Sequence, residues 1–166
     1  MTSLNQHFTV DVDLLNQTLL MIQEWDFSLT KQKLSEAEYA GWTTERSNKA
    51  ELDYKRYLAL TKVSKGFQPV PNGDIDRFWH EHILDTRRYA QDCEVLFGTF
   101  LHHYPFFGMR GDVDNDNWLS AIEYSNFLWR QAFGEDLYSS DSQAMKCPQK
   151  CPASPLPMKC PQRCPA

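Results

Sequence analysis

The chain has 166 residues, of which 42% are hydrophobic, and a formal net charge of −5. This length suits one domain with an appendage, and the apolar content is sufficient for a buried core. No apolar run approaches the roughly 20 residues of a membrane-spanning helix, and the N-terminus lacks a signal-peptide pattern. We therefore expect a cytoplasmic protein that does not enter a membrane and does not rely on disulfides.

The charge is divided unevenly along the chain. Residues 144–166 contain four cationic side chains and no acidic one, which leaves −9 for the rest of the protein. Phosphate contacts need clustered Lys and Arg, so an acidic body argues against nucleic-acid binding there.

The first half of the chain shows two helical patterns. Residues 11–24 space their apolar side chains three and four positions apart, and Asp11 stands where an N-cap is expected. Ser35 and Glu38 form a capping-box pattern, which predicts a long helix from there to about Ser64. A connector rich in Pro and Gly follows it.

The second half shows two further helical patterns. The clearest spans residues 75–97 with Asp74 as its cap, and another spans residues 117–133. No stretch alternates polar and apolar residues as a strand would. The predicted fold is all-α: a compact bundle of four to five helices at residues 1–137, followed by a flexible, disordered Cys/Pro-rich tail at residues 138–166.

Four of the five histidines lie close together in the sequence and are candidate metal ligands: His80, His82, His102 and His103. On one helix, His80 and His82 point roughly 200° apart and cannot hold one ion together. A metal site therefore requires one of them to be joined by His102 or His103. We favour the alternative, in which His82 is hydrogen-bonded inside the bundle and Cys93 is a small buried residue without a nucleophilic role.

Residues 112–123, DVDNDNWLSAIE, place acidic side chains at the positions of a calcium-binding loop. The sixth position is Asn117, where such loops have Gly, and no helix is predicted directly before the segment. We therefore favour the interpretation that Asp114 and Asp116 cap the last helix and place negative charge at its N-terminus.

The segment VPNGDIDRFWHEHILDTRRYAQDCEVLFGTFLHHYPFFG resembles the signature segment of the glycine-rich domain-containing protein-like family. The string WHEHILDT at 79–86 and the pair His102-His103 carry much of the likeness, which extends over roughly residues 50–136. The resemblance implies a helical domain, in a short layout like that of bacterial members, and names no reaction. Some members end in Gly/Cys-rich tails, whereas this tail has Cys and Pro without glycine.

The tail repeats MKCPQKCPA as MKCPQRCPA after the spacer SPLP. It contains four cysteines, with three residues between the two thiols of each repeat: Cys147, Cys151, Cys160 and Cys164. Spacings of two to four residues are common in zinc sites, so four thiolates could bind a soft ion, Zn or Cu. The alternatives are disulfide formation, post-translational modification, and a duplication without a selected role.

The sequence therefore predicts a non-enzymatic helical domain that presents a metal-binding Cys-rich tail. Two further hypotheses remain open: a folded leader domain whose tail is the substrate of a modifying enzyme, and a metal-dependent enzyme that uses the histidine cluster. The expected partners are a metal ion or a modifying enzyme at the tail, with no nucleic acid and no membrane. No catalytic residue and no organic cofactor is predicted.

Overall fold

The computed structural model of the protein describes residues 9–36, 41–139 and 143–144. Within these ranges the chain forms six α-helices and no β-strand, which confirms the all-α prediction with more helices than expected. The helices are α1 (Val12–Gln23), α2 (Ser28–Leu34), α3 (Thr44–Val63), α4 (Gly73–Leu84), α5 (Thr86–Phe97) and α6 (Asp112–Phe133). None of them is both long and apolar enough to cross a bilayer. The Cys/Pro repeat and its predicted disorder lie outside the described residues.

Helix α3 occupies the centre of the bundle and packs against α1, α2, α4 and α6. Its Tyr54 and Tyr57 are fully buried. The Tyr54 ring contacts Phe27 edge-on and Phe78 at a tilt, with ring centroids 5.8 and 5.3 Å apart. Each buried aromatic side chain removes a large apolar area from water, so this aromatic group is a main source of stability.

The predicted start of the long central helix is wrong. Ser35 is the C-cap of α2 and opens no helix. Helix α3 begins only after Thr43, whose hydroxyl oxygen accepts a hydrogen bond from the backbone N–H of Arg46. The polar stretch that follows Thr43 is therefore the first part of α3, whose outward face needs no apolar side chains.

The predicted helix at 75–97 is in fact two helices, α4 and α5. Asp85 ends α4 with a backbone outside the helical region (φ −82°, ψ 71°), and its carboxylate accepts a hydrogen bond from the N–H of Arg88 in α5. Short polar side chains of this kind favour caps over helix interiors. Helix α5 therefore packs against α4 instead of extending it.

Helix α4 is capped by Asn72, not by Asp74 as predicted. The Oδ1 atom of Asn72 accepts a hydrogen bond from the N–H of Ile75 at 3.0 Å. Its Nδ2 donates to the carbonyl of Leu137 at 2.9 Å, and the residue is only 6% exposed. One side chain thus starts α4 and fastens it to the chain that follows α6.

The connector before α4 is also held by buried hydrogen bonds. The Tyr57 hydroxyl donates to the carbonyl of Pro69 at 2.9 Å. The N–H of Val70 donates to the Ser125 hydroxyl oxygen at 2.8 Å, and the Tyr138 hydroxyl donates to the carbonyl of Val70 at 2.7 Å. Both prolines of this connector lack an N–H, so these contacts satisfy most of its backbone groups.

Helix α6 begins at Asp112, five residues before the predicted start. The calcium-loop pattern at 112–123 is therefore helical, and the loop interpretation is excluded. The capping prediction is also wrong for Asp114: its carboxylate accepts hydrogen bonds from the backbone N–H groups of the preceding turn, at Gly108, Met109 and Arg110. Asp114 thus closes that turn, and its position in the first turn of α6 confirms the predicted negative charge at the N-terminus of this helix.

We predict that Asn72→Ala lowers the free energy of unfolding by about 2 kcal/mol. The cap and the buried hydrogen bond to Leu137 each account for about 1 kcal/mol. Asn72→Ser retains an N-cap acceptor and should recover about half of the loss. Asp11→Ala removes only an exposed cap and is the matched control. Urea unfolding followed by circular dichroism measures all three, and equal losses for Asn72→Ala and Asp11→Ala would contradict the dual role.

Candidate metal centre

Two side chains on one face of α4 form the first part of the centre. Asp76 and His80 are four residues apart, so they lie one helical turn from each other. The distance from His80 Nε2 to Asp76 Oδ2 is 3.7 Å. Both side chains are largely buried, with exposures of 17% for His80 and 9% for Asp76.

His103 completes the centre from the non-helical segment between α5 and α6. Its Nε2 atom lies 2.9 Å from Asp76 Oδ1 and 3.1 Å from His80 Nε2. Its ring rests against the Trp79 indole, with ring centroids 4.5 Å apart. One ligand atom from each of Asp76, His80 and His103 falls within 4.8 Å of the other two. We call these three residues the Asp–His–His cluster.

The Tyr89 hydroxyl fixes the segment that carries His103. It accepts a hydrogen bond from the Trp79 indole N–H at 2.9 Å and donates to the carbonyl of Leu101, two residues before His103. Burial raises the pKa of Tyr89 well above its ordinary value, so the hydroxyl keeps the proton that it donates. Helix α4, helix α5 and the His103 segment are therefore joined at a single oxygen.

The hydrogen bonds determine where the protons lie in the Asp–His–His cluster. Asp76 is an acceptor, so His103 must present its Nε2–H to the Asp76 carboxylate. The nearby Nε2 of His80 is then the unprotonated acceptor. Burial lowers the pKa of His80, which outweighs the raising effect of Asp76. His103 Nε2 thus has the Asp76 carboxylate as its hydrogen-bond acceptor and the Nε2 of His80 as a second close neighbour.

The spacing of these atoms matches that of ligands around one small cation. Ligands about 2.0–2.1 Å from a tetrahedral zinc ion lie about 3.3 Å from each other. The observed separations are 2.9, 3.1 and 3.7 Å. Two imidazoles and one carboxylate form a familiar ligand set for zinc and for other divalent transition metals, and it leaves coordination positions open.

A pocket of about 310 Å³ adjoins the Asp–His–His cluster. Asp76 and His103 lie on its wall. The remaining wall is largely aromatic or proline-rich and includes Trp79, Tyr104, Phe107, Trp118, Pro69 and Pro71. Such a mixture, with a few converging polar groups on an apolar wall, is typical of ligand sites.

The other predicted metal ligands of the body lie elsewhere. His82 is 2% exposed; its Nδ1 accepts a hydrogen bond from the Tyr54 hydroxyl at 2.9 Å, and its Nε2 donates to Asp92 Oδ2 at 3.0 Å. This is the buried, hydrogen-bonded position that we favoured. His102 is exposed and contacts Phe100.

The five cysteines of the chain fall into two groups, Cys93 in the helical body and four in the tail. Cys93 is 3% exposed and burial raises the pKa of its thiol, as expected for a packing residue. The four tail cysteines, Cys147, Cys151, Cys160 and Cys164, lie outside the described residues. Asp76 was not singled out as a ligand from the sequence, although its four-residue spacing from His80 was a readable signal.

Fold and cluster together define a helical domain with a His/Asp group that could hold a metal ion. The model of the UCP032817-like family matches residues 17–122, which is well over half of the chain. The protein belongs to the UCP032817-like family. The matched region contains all three residues of the Asp–His–His cluster.

A plant relative supports the resemblance that was read from the sequence. Glycine-rich domain-containing protein 1 of Arabidopsis thaliana is 30% identical to the chain over 86 residues. These residues cover 52% of this chain but only 10% of the relative, so the chain corresponds to a small part of that protein. No solved structure matches the chain.

We predict that His82 makes stability depend on pH. Burial among aromatic rings lowers the pKa of His82 to about 4, although Asp92 opposes the shift. Between pH 6.5 and 4 the unfolded chain binds a proton at this residue that the folded chain does not, so stability falls as the pH falls. The free energy of unfolding falls by about 3 kcal/mol in total between these two pH values.

Urea unfolding at pH 7, 6 and 5 measures this effect. His82→Gln cannot titrate and should reduce the pH dependence over this window, leaving the smaller contribution of His80, whose pKa burial also lowers. His102→Gln, which replaces an exposed histidine, should leave the dependence as in the natural chain. The same slope in His82→Gln as in the natural chain would show that His82 is not the titrating group.

Proposed function

We propose that the protein is a helical metal-binding domain that holds a divalent transition-metal ion, zinc first, at Asp76, His80 and His103. The observation that carries the proposal is the convergence of three ligand atoms from two separate parts of the chain, with mutual distances of 2.9–3.7 Å. All three side chains are largely buried, so the surrounding residues restrain them before an ion binds. This restraint reduces the entropy cost of binding.

The protonation of the cluster supports this proposal. A lowered pKa leaves His80 unprotonated at neutral pH, so a metal does not compete with a proton there. The hydrogen on His103 Nε2 can move to Nδ1 of the same ring, which needs a change of tautomer but no net loss of a proton. The Asp76 carboxylate supplies one negative charge against the two positive charges of the ion.

We predict that His103→Gln and Asp76→Asn each weaken zinc binding by at least about 100-fold, which is roughly 2.7 kcal/mol. The experiment uses the full chain with its four tail cysteines replaced by Ser, so that only the body can bind. Isothermal titration calorimetry should give one equivalent of zinc for this background and for the control His102→Gln. Unchanged affinity in His103→Gln would refute the site.

We predict that Tyr89→Phe weakens zinc binding about tenfold without changing the stoichiometry. The substitution removes no ligand but releases the Leu101 carbonyl and leaves the Trp79 indole N–H unpaired, so His103 is less well positioned. Tyr138→Phe loses a comparable hydrogen bond, to the carbonyl of Val70, and is the matched control. Both variants should lose similar stability, and a purely structural role for Tyr89 would leave its zinc affinity equal to that of the control.

We also propose, as a second candidate function, that the tail binds a soft ion, Zn or Cu, through Cys147, Cys151, Cys160 and Cys164. What supports this proposal is the repeated pairing of thiols beside Lys and Arg side chains, which favour the thiolate form. In the same titration, the natural chain should then bind more equivalents of zinc than the variant whose four tail cysteines are replaced by Ser.

The pocket favours one alternative use of the Asp–His–His cluster. Three protein ligands leave a coordination position open, and Asp76 and His103 both face the pocket. Catalytic zinc sites share this arrangement of three protein ligands and one exchangeable position. A metal-dependent enzyme is therefore the candidate that competes with simple metal storage or sensing.

A further inference from the structure

We propose that the pocket beside the Asp–His–His cluster binds a small molecule that combines an aromatic ring with one anionic donor group, such as a carboxylate, and that this donor completes the coordination of the metal. The proposal rests on the proposed metal centre and names the class of ligand that the centre takes. It follows from the arrangement, the size and the charge of the pocket.

Helices α4 and α6 and the segments that precede them form the pocket. Helix α4 provides Asp76 and Trp79, which are 6% and 1% exposed. Helix α6 provides Trp118 and Ala121, which are three residues apart and so lie on one face of the helix. Tyr104 lies at the rim and is 51% exposed. The carboxylate of Asp76 is therefore at the buried end of the pocket, and the aromatic wall extends from there to the rim.

The volume of the pocket sets the size of the ligand. Its 310 Å³ is at the lower end of the range for small-molecule sites, which is roughly 300–1,000 Å³. A dry cavity of about 150 Å³ is enough to hold one benzene ring. The pocket therefore has room for one ring with a short polar substituent.

The charge of the metal-loaded pocket favours an anion. A divalent ion bound by two neutral imidazoles and the Asp76 carboxylate retains a net positive charge. Among the described residues that line the pocket, Asp76 is the one acidic side chain and none is Lys or Arg. In a partly buried site of low dielectric constant, the remaining charge is costly unless an anion pairs with it. One anionic donor group gives a neutral assembly, whereas a cationic ligand would increase the imbalance.

The wall beside the metal favours an aromatic ring over an aliphatic chain. Five of the side chains that line the pocket are aromatic: Phe67, Trp79, Tyr104, Phe107 and Trp118. An aromatic ligand gains from edge-to-face and offset-stacked contacts with such rings in addition to the burial of its apolar area. The ring of the ligand would therefore lie along this wall while its donor group reaches the buried end.

The wall is in place before a ligand binds. Both backbone groups of Val70, on the connector side of the pocket, are hydrogen-bonded, the N–H to Ser125 and the carbonyl to Tyr138. At the rim, the Arg110 guanidinium lies over the Tyr104 ring, 5.2 Å from its centroid. A preformed site of this kind loses little binding free energy to the ordering of its own residues.

Two hydroxamic acids test the proposal on the zinc-loaded full chain with its four tail cysteines replaced by Ser. Benzohydroxamate and acetohydroxamate bind zinc as anions through the same two oxygens, and only the first has a ring. We expect isothermal titration calorimetry to show at least about tenfold tighter binding of benzohydroxamate, because burial of its ring removes more apolar area from water. Benzamide has the ring without an anionic donor and should bind at least about 100-fold more weakly than benzohydroxamate.

Ala121→Leu tests whether the ring lies in the pocket. The substitution adds carbon atoms to the pocket wall and keeps a good helix former in α6. It should weaken benzohydroxamate binding about tenfold and leave the affinities for zinc and acetohydroxamate unchanged. Ala90→Leu makes the same change at an exposed position of α5 outside the pocket and is the matched control. It should leave all three affinities unchanged.

Zinc titration without hydroxamate separates this proposal from the metal centre on which it rests. If the chain binds no zinc, the metal centre fails and the ligand proposal fails with it. If zinc binds but the two hydroxamates have equal affinity, the metal centre stands and the ligand class is wrong. Unchanged benzohydroxamate affinity in Ala121→Leu, or equal affinity of the zinc-free chain for benzohydroxamate, would overturn the ligand proposal in the same way.

Discussion

The bend at Asp85 is the constraint on which the candidate centre depends. A straight helix through this position would carry the residues after α5 far from α4, because every residue adds about 1.5 Å. With the bend, α5 packs against α4, and the Tyr89 hydroxyl accepts a hydrogen bond from the Trp79 indole N–H. The same hydroxyl holds Leu101, and His103 then lies over the buried face of α4. The capped turn at Asp85 therefore brings together side chains that are far apart in the sequence.

The bend is stabilised by a second polar contact deeper in the bundle. His82 accepts from Tyr54 in α3 and donates to Asp92 in α5, so three helices meet at one imidazole. Such a group is expensive to bury unless both nitrogens are paired, and here both are. Burial nevertheless lowers the pKa of His82, because desolvation of the charged ring outweighs the stabilising effect of Asp92. Near neutral pH, the structural histidine and the proposed metal ligand His80 thus share one requirement, an uncharged ring.

Much of the fold could be predicted because helical spacing and caps are local signals. The all-α class, the cap at Asp11 and the burial of His82 followed from the sequence. The break at Asp85 did not, since the apolar pattern continues through both helices and a single Asp within a helix is common. Unless the break is predicted, nothing in the sequence indicates that His103 lies next to His80. The sequence could name both histidines as candidates, but it could not pair them or add Asp76.

The adjoining pocket gives the centre its chemical character. A cluster with three protein ligands beside an aromatic wall could hold an ion with coordination positions to spare, and what filled those positions would decide whether the ion is stored, sensed or used. Asn72 supports the centre structurally, because it caps the helix that carries Asp76 and His80 and also donates a buried hydrogen bond to the carbonyl of Leu137. The stability of α4 and the placement of Asp76 and His80 on it are therefore linked through one buried side chain.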